Sequence, residues 1–329
     1  MTLFAASLLT LTSVLLFAFG ANLLIMSARA LRLHPSMPGA VPPGLEPMVC
    51  VQLPVYNERY VVERAIEAAA SLDWPRARLQ IQVLDDSDDG TVQIAAREVG
   101  RWRRRGTDIT HVCRGTRAGY KAGALAHGMS LTSAPFIAVF DADFVPPPGF
   151  LRALMGAFDD PRAGFAQARW GHLNEGYSLL TRLQALTIDF HFLVEQAARS
   201  ASGYFTNFTG TAGIWRREAI EEAGGWSART LTEDLDLSYR AQLAGWRPAY
   251  VEGLVVPEEL PVSIDAYRRQ QARWATGSFQ CAIRLLGPVM RRPGISGAVR
   301  FQAVMHLLAY GVGPLMLVQL ACYPLLLPL

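Results

Sequence analysis

The chain has 329 residues, of which 51% are hydrophobic and 18% are charged, whereas soluble domains carry roughly 25% charged residues. With 31 Lys and Arg against 28 Asp and Glu, the net charge is +3. This composition excludes a disordered polyanion, a collagen-like fibre and a nucleic-acid-binding protein built on basic tails, so we expect no nucleic-acid partner. The four cysteines, Cys50, Cys113, Cys281 and Cys322, include no C-x-x-C pair. Their spacing disfavours a disulfide scaffold or a zinc site of thiolates and favours a reducing compartment.

Residues 1–28 carry no charged side chain and predict an N-terminal transmembrane helix. Within them, Leu3–Met26 is longer than the ~20 residues needed to cross the hydrocarbon core of a bilayer. Arg29 and Arg32 follow at once, which predicts that the C-terminal side of this helix lies in the cytoplasm. A cleaved signal peptide is the alternative, but it requires a basic start and a shorter apolar core.

Residues 29–47 are rich in proline and predict an irregular linker, and residues 48–260 predict a soluble α/β domain. Short apolar runs alternate there with helix-like patterns, which favours a mainly parallel sheet covered by helices. The predicted strands are Met48–Val55, Leu79–Leu84, Asp108–Val112 and Phe136–Phe140. The predicted helices are Glu58–Leu72 with Asn57 as its N-cap, Ala118–Leu131 and Glu233–Leu243.

Acidic residues follow two of these strands, at the edge where open α/β sheets bind ligands. The second predicted strand runs into Asp85 and Asp86, and the fourth runs into Asp141 and Asp143. Two carboxylates spaced two apart can offer oxygens to one hard cation such as Mg²⁺ or Mn²⁺, and such a cation commonly binds a diphosphate. An Asx-rich surface turn is the alternative for the first of these clusters.

A third acidic pair, Glu233 and Asp234, opens a predicted helix. Carboxylates at a helix start interact favourably with the helix dipole, which is the structural alternative for one of them. As a functional residue, Asp234 is a candidate general base, because deprotonating a sugar hydroxyl requires an ionised carboxylate within hydrogen-bond reach. The sequence alone leaves both interpretations open.

The segment Gln270-Gln271-Ala272-Arg273-Trp274 lies on a helix predicted to start near Asp265. A guanidinium can hold a diphosphate through two parallel hydrogen bonds. An indole offers a flat face for a sugar ring and an N–H donor. Packing between helices is the alternative for such an Arg-Trp pair.

Residues 301–329 are apolar and predict a second transmembrane segment, which we expect to be truncated. Pro314, Pro324 and Pro328 interrupt it, so its later part is predicted to be a second short helix or a re-entrant piece; a buried core helix is the alternative. Basic and apolar residues alternate over residues 261–300, which predicts helices lying along the membrane surface. We therefore expect a multi-pass protein of the inner or plasma membrane with its catalytic domain in the cytoplasm.

Taken in order, these acidic clusters and the Q-x-x-R-W pattern resemble the family-2 glycosyltransferases, in the processive, membrane-embedded branch that includes cellulose synthase. The resemblance covers residues 48–286. The pieces VQLPVYNER, GYKAGAL, FDADFVPPPGFL and AYRRQQARW are most similar to cellulose synthase-like mannan and glucomannan synthases and to xyloglucan-backbone glucan synthases. The resemblance implies a nucleotide-sugar-binding domain of the GT-A type. Ala124 and Thr209 stand where relatives often carry asparagine.

The resemblance also implies a role for each residue that matches a family motif. Asp234 is expected to be the catalytic base, and Asp141 and Asp143 to hold a Mn²⁺ or Mg²⁺ ion. The expected donor-binding residues are Asp85, Asp86, Lys121, Asp141 and Arg273. The expected acceptor-binding residues are Trp274, Glu233 and Gln270.

The expected function is an inverting, metal-dependent hexosyltransferase that extends a β-linked polysaccharide, with a β-1,4-mannan or glucomannan made from GDP-mannose as the first choice. A β-1,4-glucan made from UDP-glucose is one alternative, and transfer of a single sugar to a lipid is another. A non-catalytic subunit that binds a nucleotide sugar is the alternative outside the enzymes. The expected partners are the nucleotide-sugar donor, a polysaccharide acceptor and the lipid bilayer.

Overall fold

One seven-stranded sheet organises the chain in the computed structural model, which describes residues 2–34, 37–39, 41–42 and 44–326. Four residues of the predicted linker and the last three residues of the predicted C-terminal segment, Pro328 among them, lie outside the described residues. The strands are β1 (Val49–Val55), β2 (Leu79–Asp85), β3 (Ile109–Cys113), β4 (Phe136–Val139), β5 (Ala163–His172), β6 (Gly213–Arg216) and β7 (Arg247–Glu258).

The sheet order is β3-β2-β1-β4-β6-β5-β7, and β6 alone among these strands runs antiparallel to its neighbours. The prediction of a mainly parallel sheet is therefore confirmed. The helices are α1 (Thr2–Ala30), α2 (Val62–Ala70), α3 (Thr91–Arg104), α4 (Tyr120–Ser130), α5 (Phe150–Met155), α6 (Leu179–Phe190), α7 (Ala197–Ala201), α8 (Arg217–Glu222), α9 (Glu233–Ala244), α10 (Ile264–Arg291), α11 (Gly297–Leu307) and α12 (Val312–Leu326). A π-helical turn, His191–Gln196, joins α6 to α7.

Helices cover both faces of the sheet because alternate strand residues are apolar on each side. In β1, Val49, Val51 and Leu53 pack with α2, α3 and α5, whereas Cys50 packs on the opposite face with α4, α8 and α9. A third apolar cluster lies between α9, α10 and α11. Because both faces are covered, ligands reach the sheet at its edges, and the carboxyl ends of the parallel strands form one of these.

The second predicted helix begins four residues later than expected, at Val62 instead of Glu58. Asn57, the expected N-cap, adopts a left-handed backbone with φ of 57°. Its side-chain Nδ2 donates to Asp88 Oδ1 at 2.8 Å, and its Oδ1 accepts from the Asp88 backbone N–H at 3.1 Å. The asparagine therefore joins two loops at the strand edge instead of capping a helix.

By length and composition, α1 can cross a bilayer, with a mean hydropathy of 2.1 over its most apolar window. The pair α11 and α12 passes the same test only when taken together, because neither helix is long enough alone. The two helices are bent by 55° relative to each other at a break after Leu307. Pro314 lies in the first turn of α12, where proline is tolerated, and the break precedes it. The prediction that Pro324 interrupts the segment is wrong, because α12 continues through it. A polar contact joins α12 to α1, since Gln319 Nε2 donates to Ser13 Oγ at 2.7 Å.

Candidate active site

The edge formed by the carboxyl ends of β1, β2 and β4 also receives the start of the antiparallel strand β6. The backbone N–H of Asp141, just after β4, donates to Thr211 Oγ1, just before β6, at 2.9 Å. An antiparallel neighbour brings its beginning to the edge where a parallel strand ends. The topology therefore places a loop from 70 residues downstream next to the D-x-D segment.

Lys121, in the first turn of α4, binds both parts of this edge. Its Nζ lies 2.5 Å from Asp141 Oδ1 and donates to the carbonyl of Gly210 at 2.9 Å. Burial alone would lower the pKa of Lys121, but the carboxylates of Asp141, Glu233 and Asp234 outweigh it and raise that pKa. Lys121 is therefore a fixed positive charge among carboxylates.

The carboxylate of Asp234, in the first turn of α9, approaches the same glycine. A Cβ built on Gly210 would lie 2.9 Å from Asp234 Oδ2 and 3.3 Å from Lys121 Nζ, and the φ of Gly210 is +83°. Both constraints require glycine at this position. Asp234 Oδ1 accepts from the Leu235 N–H at 2.8 Å, so Oδ2 is the oxygen that faces the cleft.

Two of the predicted site carboxyls bind protons more tightly than usual. Burial and the neighbouring Glu233 raise the pKa of Asp234 to about 7. Burial and the neighbouring Asp141 raise the pKa of Asp143 to about 7, with Glu58 adding to the effect. Since Asp141 also raises the pKa of Asp234, the carboxylates of β4 and α9 act on one another across one cleft.

Glu258, at the end of β7, is a further carboxyl at this edge that the sequence did not reveal. It is 3% exposed and pairs across the backbone with Phe144, next to Asp143. Burial, followed by Asp143 and Asp141, raises its pKa well above the usual range. Its Oε1 accepts no hydrogen bond from the described residues, and the nearest imidazole nitrogen, His172 Nδ1, is 3.8 Å away. A signal was nevertheless present in the sequence: the segment P-E-E-L places a carboxylate directly after the apolar run of β7, as at the ends of β2 and β4.

The donor atoms at this edge are suited to a hard divalent cation. Asp141 and Asp143 offer carboxylate oxygens, and the Glu258 oxygen at the same edge lacks a hydrogen-bond donor. Among the described residues, these three carboxylates do not bring one oxygen each within 4.8 Å of the other two. Oxygen ligands of this kind are those preferred by Mg²⁺ and Mn²⁺. A cation would also offset the negative charge of Asp141, which after burial is the next cause of the raised pKa of Asp143.

Asp85 and Asp86, at the end of β2, already have partners within the protein. Asp85 Oδ2 lies 2.8 Å from His111 Nε2, and Asp85 Oδ1 accepts from the Ser87 N–H at 2.9 Å. Asp86 binds the guanidinium of Arg114 through both oxygens. These two carboxylates therefore lie at the outer, β2–β3 end of the edge, and neither lies among the groups around Gly210.

A cavity of about 410 Å³ opens beside Asp234 and extends to the break between α11 and α12. Its volume lies within the range of roughly 300–1,000 Å³ that is common for ligand sites. Its aromatic lining residues are Trp170, Phe190, Phe192, Tyr267, Trp274 and Tyr310, and its polar ones include Gln184, His191, Glu195, Asn207, Thr209, Thr232, Gln270, Gln271 and Ser278. Flat rings alternating with hydrogen-bonding groups suit a carbohydrate, which presents both C–H faces and hydroxyls.

The predicted α10 residues divide between the cavity and its surroundings. Gln270 and Trp274 line the cavity together with Asp234. Arg273 is exposed, and its guanidinium makes no hydrogen bond or ion pair with any residue in the described ranges. Thr209 lines the cavity with a buried hydroxyl that is also unpartnered. Polar groups without partners at the wall of a cavity are those available to a ligand.

The mostly parallel sheet and the helices that cover it define a GT-A-like α/β fold. The sequence model described as "Glycosyltransferase like family 2" matches residues 47–277, and the chain belongs to that family. The resemblance inferred from the motifs is therefore confirmed.

Curated relatives are glucomannan mannosyltransferases of plants. The chain is 46% identical over 255 residues to glucomannan 4-beta-mannosyltransferase 9 of Arabidopsis thaliana, covering 76% of this chain and 48% of that protein. It is 45% identical over 263 residues to probable glucomannan 4-beta-mannosyltransferase 7 of Oryza sativa subsp. japonica, covering 78% and 45%. The chain thus spans about half the length of the curated relatives it matches.

Solved structures show the same fold. The mannosyltransferase PcManGT from Pyrobaculum calidifontis, in complex with GDP-Man and Mn²⁺, superposes with a TM-score of 0.74 at 22% identity, covering 99% of this chain and 88% of that one. TarS 1-349 of S. aureus, in complex with UDP-GlcNAc, gives 0.57 at 13% identity, covering 81% and 73%. At these identities the likeness is one of fold alone.

Proposed function

We propose that this chain transfers mannose from GDP-mannose to a growing β-1,4-linked mannan or glucomannan, with inversion at the anomeric carbon. The observation that carries the proposal is the meeting of Asp234, Lys121 and Asp141 around Gly210, where Asp234 also lines an aromatic-rich cavity. The identity to glucomannan mannosyltransferases supports the choice of sugar and linkage. The GDP-mannose complex of a protein with the same fold supports the choice of nucleotide.

On the donor side, the nucleotide would lie along the edge from the end of β2 to the end of β4. Asp85 and Asp86 would contact its base or ribose, and Arg273 its diphosphate, through a guanidinium with no partner among the described residues. Asp141 and Asp143 would hold the divalent cation, Mn²⁺ or Mg²⁺, that neutralises charge on the leaving diphosphate. Lys121 would orient the Asp141 carboxylate and the Gly210 carbonyl beside it.

On the acceptor side, the terminal sugars of the polysaccharide would enter the cavity. From the cavity wall, Trp274 would stack against one ring and Gln270 would bind a hydroxyl. Glu233, next to Asp234 in the first turn of α9, would bind another hydroxyl. Asp234 would accept the proton of the attacking hydroxyl through Oδ2, the oxygen that faces the cleft. With a pKa of about 7, that carboxyl is poised to hold the proton near neutral pH and to release it afterwards.

The proposal includes a membrane location with the catalytic domain in the cytoplasm. The length and apolar surface of α1 support it, with Leu3, Phe4, Phe17 and Leu24 more than two-thirds exposed. In the proposed arrangement α12 lies beside α1 in the bilayer, and α10 lies near the surface, with Ile283 85% exposed. The cavity then reaches from the catalytic edge towards these apolar helices.

The test uses membranes that contain the full chain, supplied with Mn²⁺ and either GDP-mannose or UDP-glucose carrying a radiolabel. We expect label from GDP-mannose in a polymer that an endo-β-1,4-mannanase digests. Label from UDP-glucose alone would mean that the product is a glucan instead of a mannan. Label confined to a lipid extract would mean that the chain transfers a single sugar to a lipid. If neither donor is hydrolysed or used for transfer, an enzymatic role is contradicted.

A further inference from the structure

Three chemically distinct side chains converge at the outer end of the catalytic edge. Asp85 ends β2, and His111 and Cys113 lie on β3, the edge strand of the sheet. In the parallel register Asp85 pairs with Cys113, and His111 is two residues before Cys113. Since side chains two apart share a face and paired residues point the same way, the sheet itself places all three on one face.

The distances between these groups are those of a small ligand cluster. His111 Nε2 is 2.8 Å from Asp85 Oδ2 and 3.5 Å from Cys113 Sγ, so a single ring nitrogen faces both partners. One ligand atom from each residue lies within 4.8 Å of the other two. Bond lengths of about 2.0 Å to nitrogen and about 2.3 Å to sulfur on a tetrahedral zinc place those two atoms roughly 3.5 Å apart.

Burial and access also suit an ion that enters from solvent. The Asp85 carboxylate is fully buried and is held by the Ser87 N–H through its other oxygen, which leaves Oδ2 fixed towards the cluster. Cys113 is exposed, so an ion can reach the thiol directly. The guanidinium of Arg114, the residue after Cys113, binds both oxygens of Asp86 and so neutralises that carboxylate instead of Asp85.

We propose that Asp85, His111 and Cys113 bind a thiophilic divalent cation of the zinc type, and that the bound ion blocks the nucleotide end of the cleft. Imidazole and thiolate ligands select zinc over Mg²⁺ and Mn²⁺, which separates this site from the carboxylate site of the D-x-D segment. Three protein ligands leave one coordination position open, and the thiol proton is released as the sulfur binds the ion. The blocking part rests on the proposed role of Asp85 in holding the donor nucleotide, because a carboxylate bound to zinc is withdrawn from that contact.

Cobalt spectroscopy on the purified full chain tests the site without any donor. Co²⁺ bound to a thiolate gives a near-ultraviolet charge-transfer band, whereas Co²⁺ on carboxylates alone does not. We expect the band to saturate at one equivalent of Co²⁺ and to disappear when Zn²⁺ is added in excess. Cys113→Ser should abolish it, and Cys322→Ala, at a buried thiol away from the cluster, should leave it unchanged.

His111→Ala should weaken Co²⁺ binding by more than about tenfold, because even indirect partners of a metal ligand commonly cost tenfold or more. Absence of the band in the wild-type chain, its survival in Cys113→Ser, or equal affinity in His111→Ala would each overturn the site.

Calorimetry with GDP and Mn²⁺ tests the blocking. We expect Zn²⁺ to weaken GDP binding by the wild-type chain and to leave the Cys113→Ser variant unaffected. If GDP binding is insensitive to Zn²⁺ while the cobalt band is present, the blocking is wrong and the site stands. If the wild-type chain binds no GDP, the proposed donor is wrong, and the cobalt spectra alone still decide the metal site.

Discussion

At the scale of single residues, the environment of Asp234 separates its two sequence interpretations. A carboxylate that served only the helix dipole would gain from solvent and from nearby N–H groups, and its pKa would fall. Here burial and Glu233 raise the pKa of Asp234 instead, and one of its oxygens faces Gly210 and Lys121. An acidic group kept at that energetic cost is typical of a reactive site.

Asp234→Asn is expected to lower the rate of mannosyl transfer by about 10²–10⁴-fold, since the amide cannot accept the proton of the attacking hydroxyl. Binding of GDP with Mn²⁺ should persist, because the residues proposed to hold the nucleotide are unchanged. The measurement pairs labelled-polymer assays with calorimetry, and Glu218→Gln, at an exposed carboxylate of α8, is the matched control. Near-wild-type transfer by Asp234→Asn would remove the base assignment.

The raised pKa of Asp234 also predicts the pH dependence of the reaction. The base must be ionised to act, so kcat/KM should fall as the pH drops below about 7, approaching tenfold per pH unit. Because Glu233 contributes to the raised pKa, Glu233→Gln should move the inflection to lower pH. A wild-type profile that is flat between about pH 6 and pH 8 would show that the limiting group is not this carboxyl.

At the scale of elements, the sequence predicted the strands that have a clear apolar pattern. It missed the strands and residues whose significance depends on contacts with distant parts of the chain. The four predicted strands correspond to β1–β4, and Asp141, Asp143 and Asp234 were found because each follows or begins such an element. Strands β5, β6 and β7 were not predicted, so the antiparallel insertion that brings Thr211 to Asp141 was not either. Glu258 and His111 were missed because their significance lies in side chains distant along the chain.

The close packing of α10 against the start of α9 leads to a further prediction. A Cβ at Gly277 would lie 2.5 Å from Thr232 Cγ2 and 2.8 Å from the Thr232 backbone nitrogen. Gly277→Ala should therefore push α10 from the N-terminus of α9, destabilise the fold by roughly 1–3 kcal/mol and lower transfer. Transfer assays and thermal unfolding monitored by tryptophan fluorescence would measure both effects.

Gly287, ten residues further along the same helix, is the matched control. A Cβ there meets only the end of the Arg291 side chain, at 3.8 Å. Gly287→Ala should leave transfer unchanged and stabilise the helix by about 0.5–1 kcal/mol, the usual gain over glycine. Equal losses in the two variants would mean that the contact with Thr232 does not position Asp234.

At the scale of the whole molecule, the buried carboxyls link stability to pH and to metal. The pKa values of Asp143 and Glu258 are raised in the folded chain, so their contribution to stability is present at low pH and is lost as the pH rises. Without metal, the unfolding temperature should therefore fall between about pH 5 and pH 8. Mn²⁺ should restore it at the higher pH and have little effect at the lower one.

The control for this linkage is Glu258→Gln, which keeps the shape of the side chain and removes its charge. It should flatten the fall in unfolding temperature with pH. Scans of the detergent-solubilised chain with and without Mn²⁺ at both pH values give the comparison. A metal-free chain that becomes more stable at higher pH would contradict the assignment of these carboxyls as repelling neighbours.

The insertion between β5 and β6 has a consequence for how such a protein can diversify. Four of the groups proposed to handle the nucleotide and its cation lie at or just after the ends of β2 and β4. In contrast, α6 and the π-helical turn, which supply much of the cavity wall, lie in one excursion that departs after β5 and returns before β6. That excursion can be lengthened or reshaped without displacing β2 and β4, the strands proposed to carry the metal and nucleotide contacts. One part of the cavity wall is thus encoded in a stretch of the chain separate from the strand ends proposed to handle the nucleotide, while α9 and α10 contribute the rest of the wall.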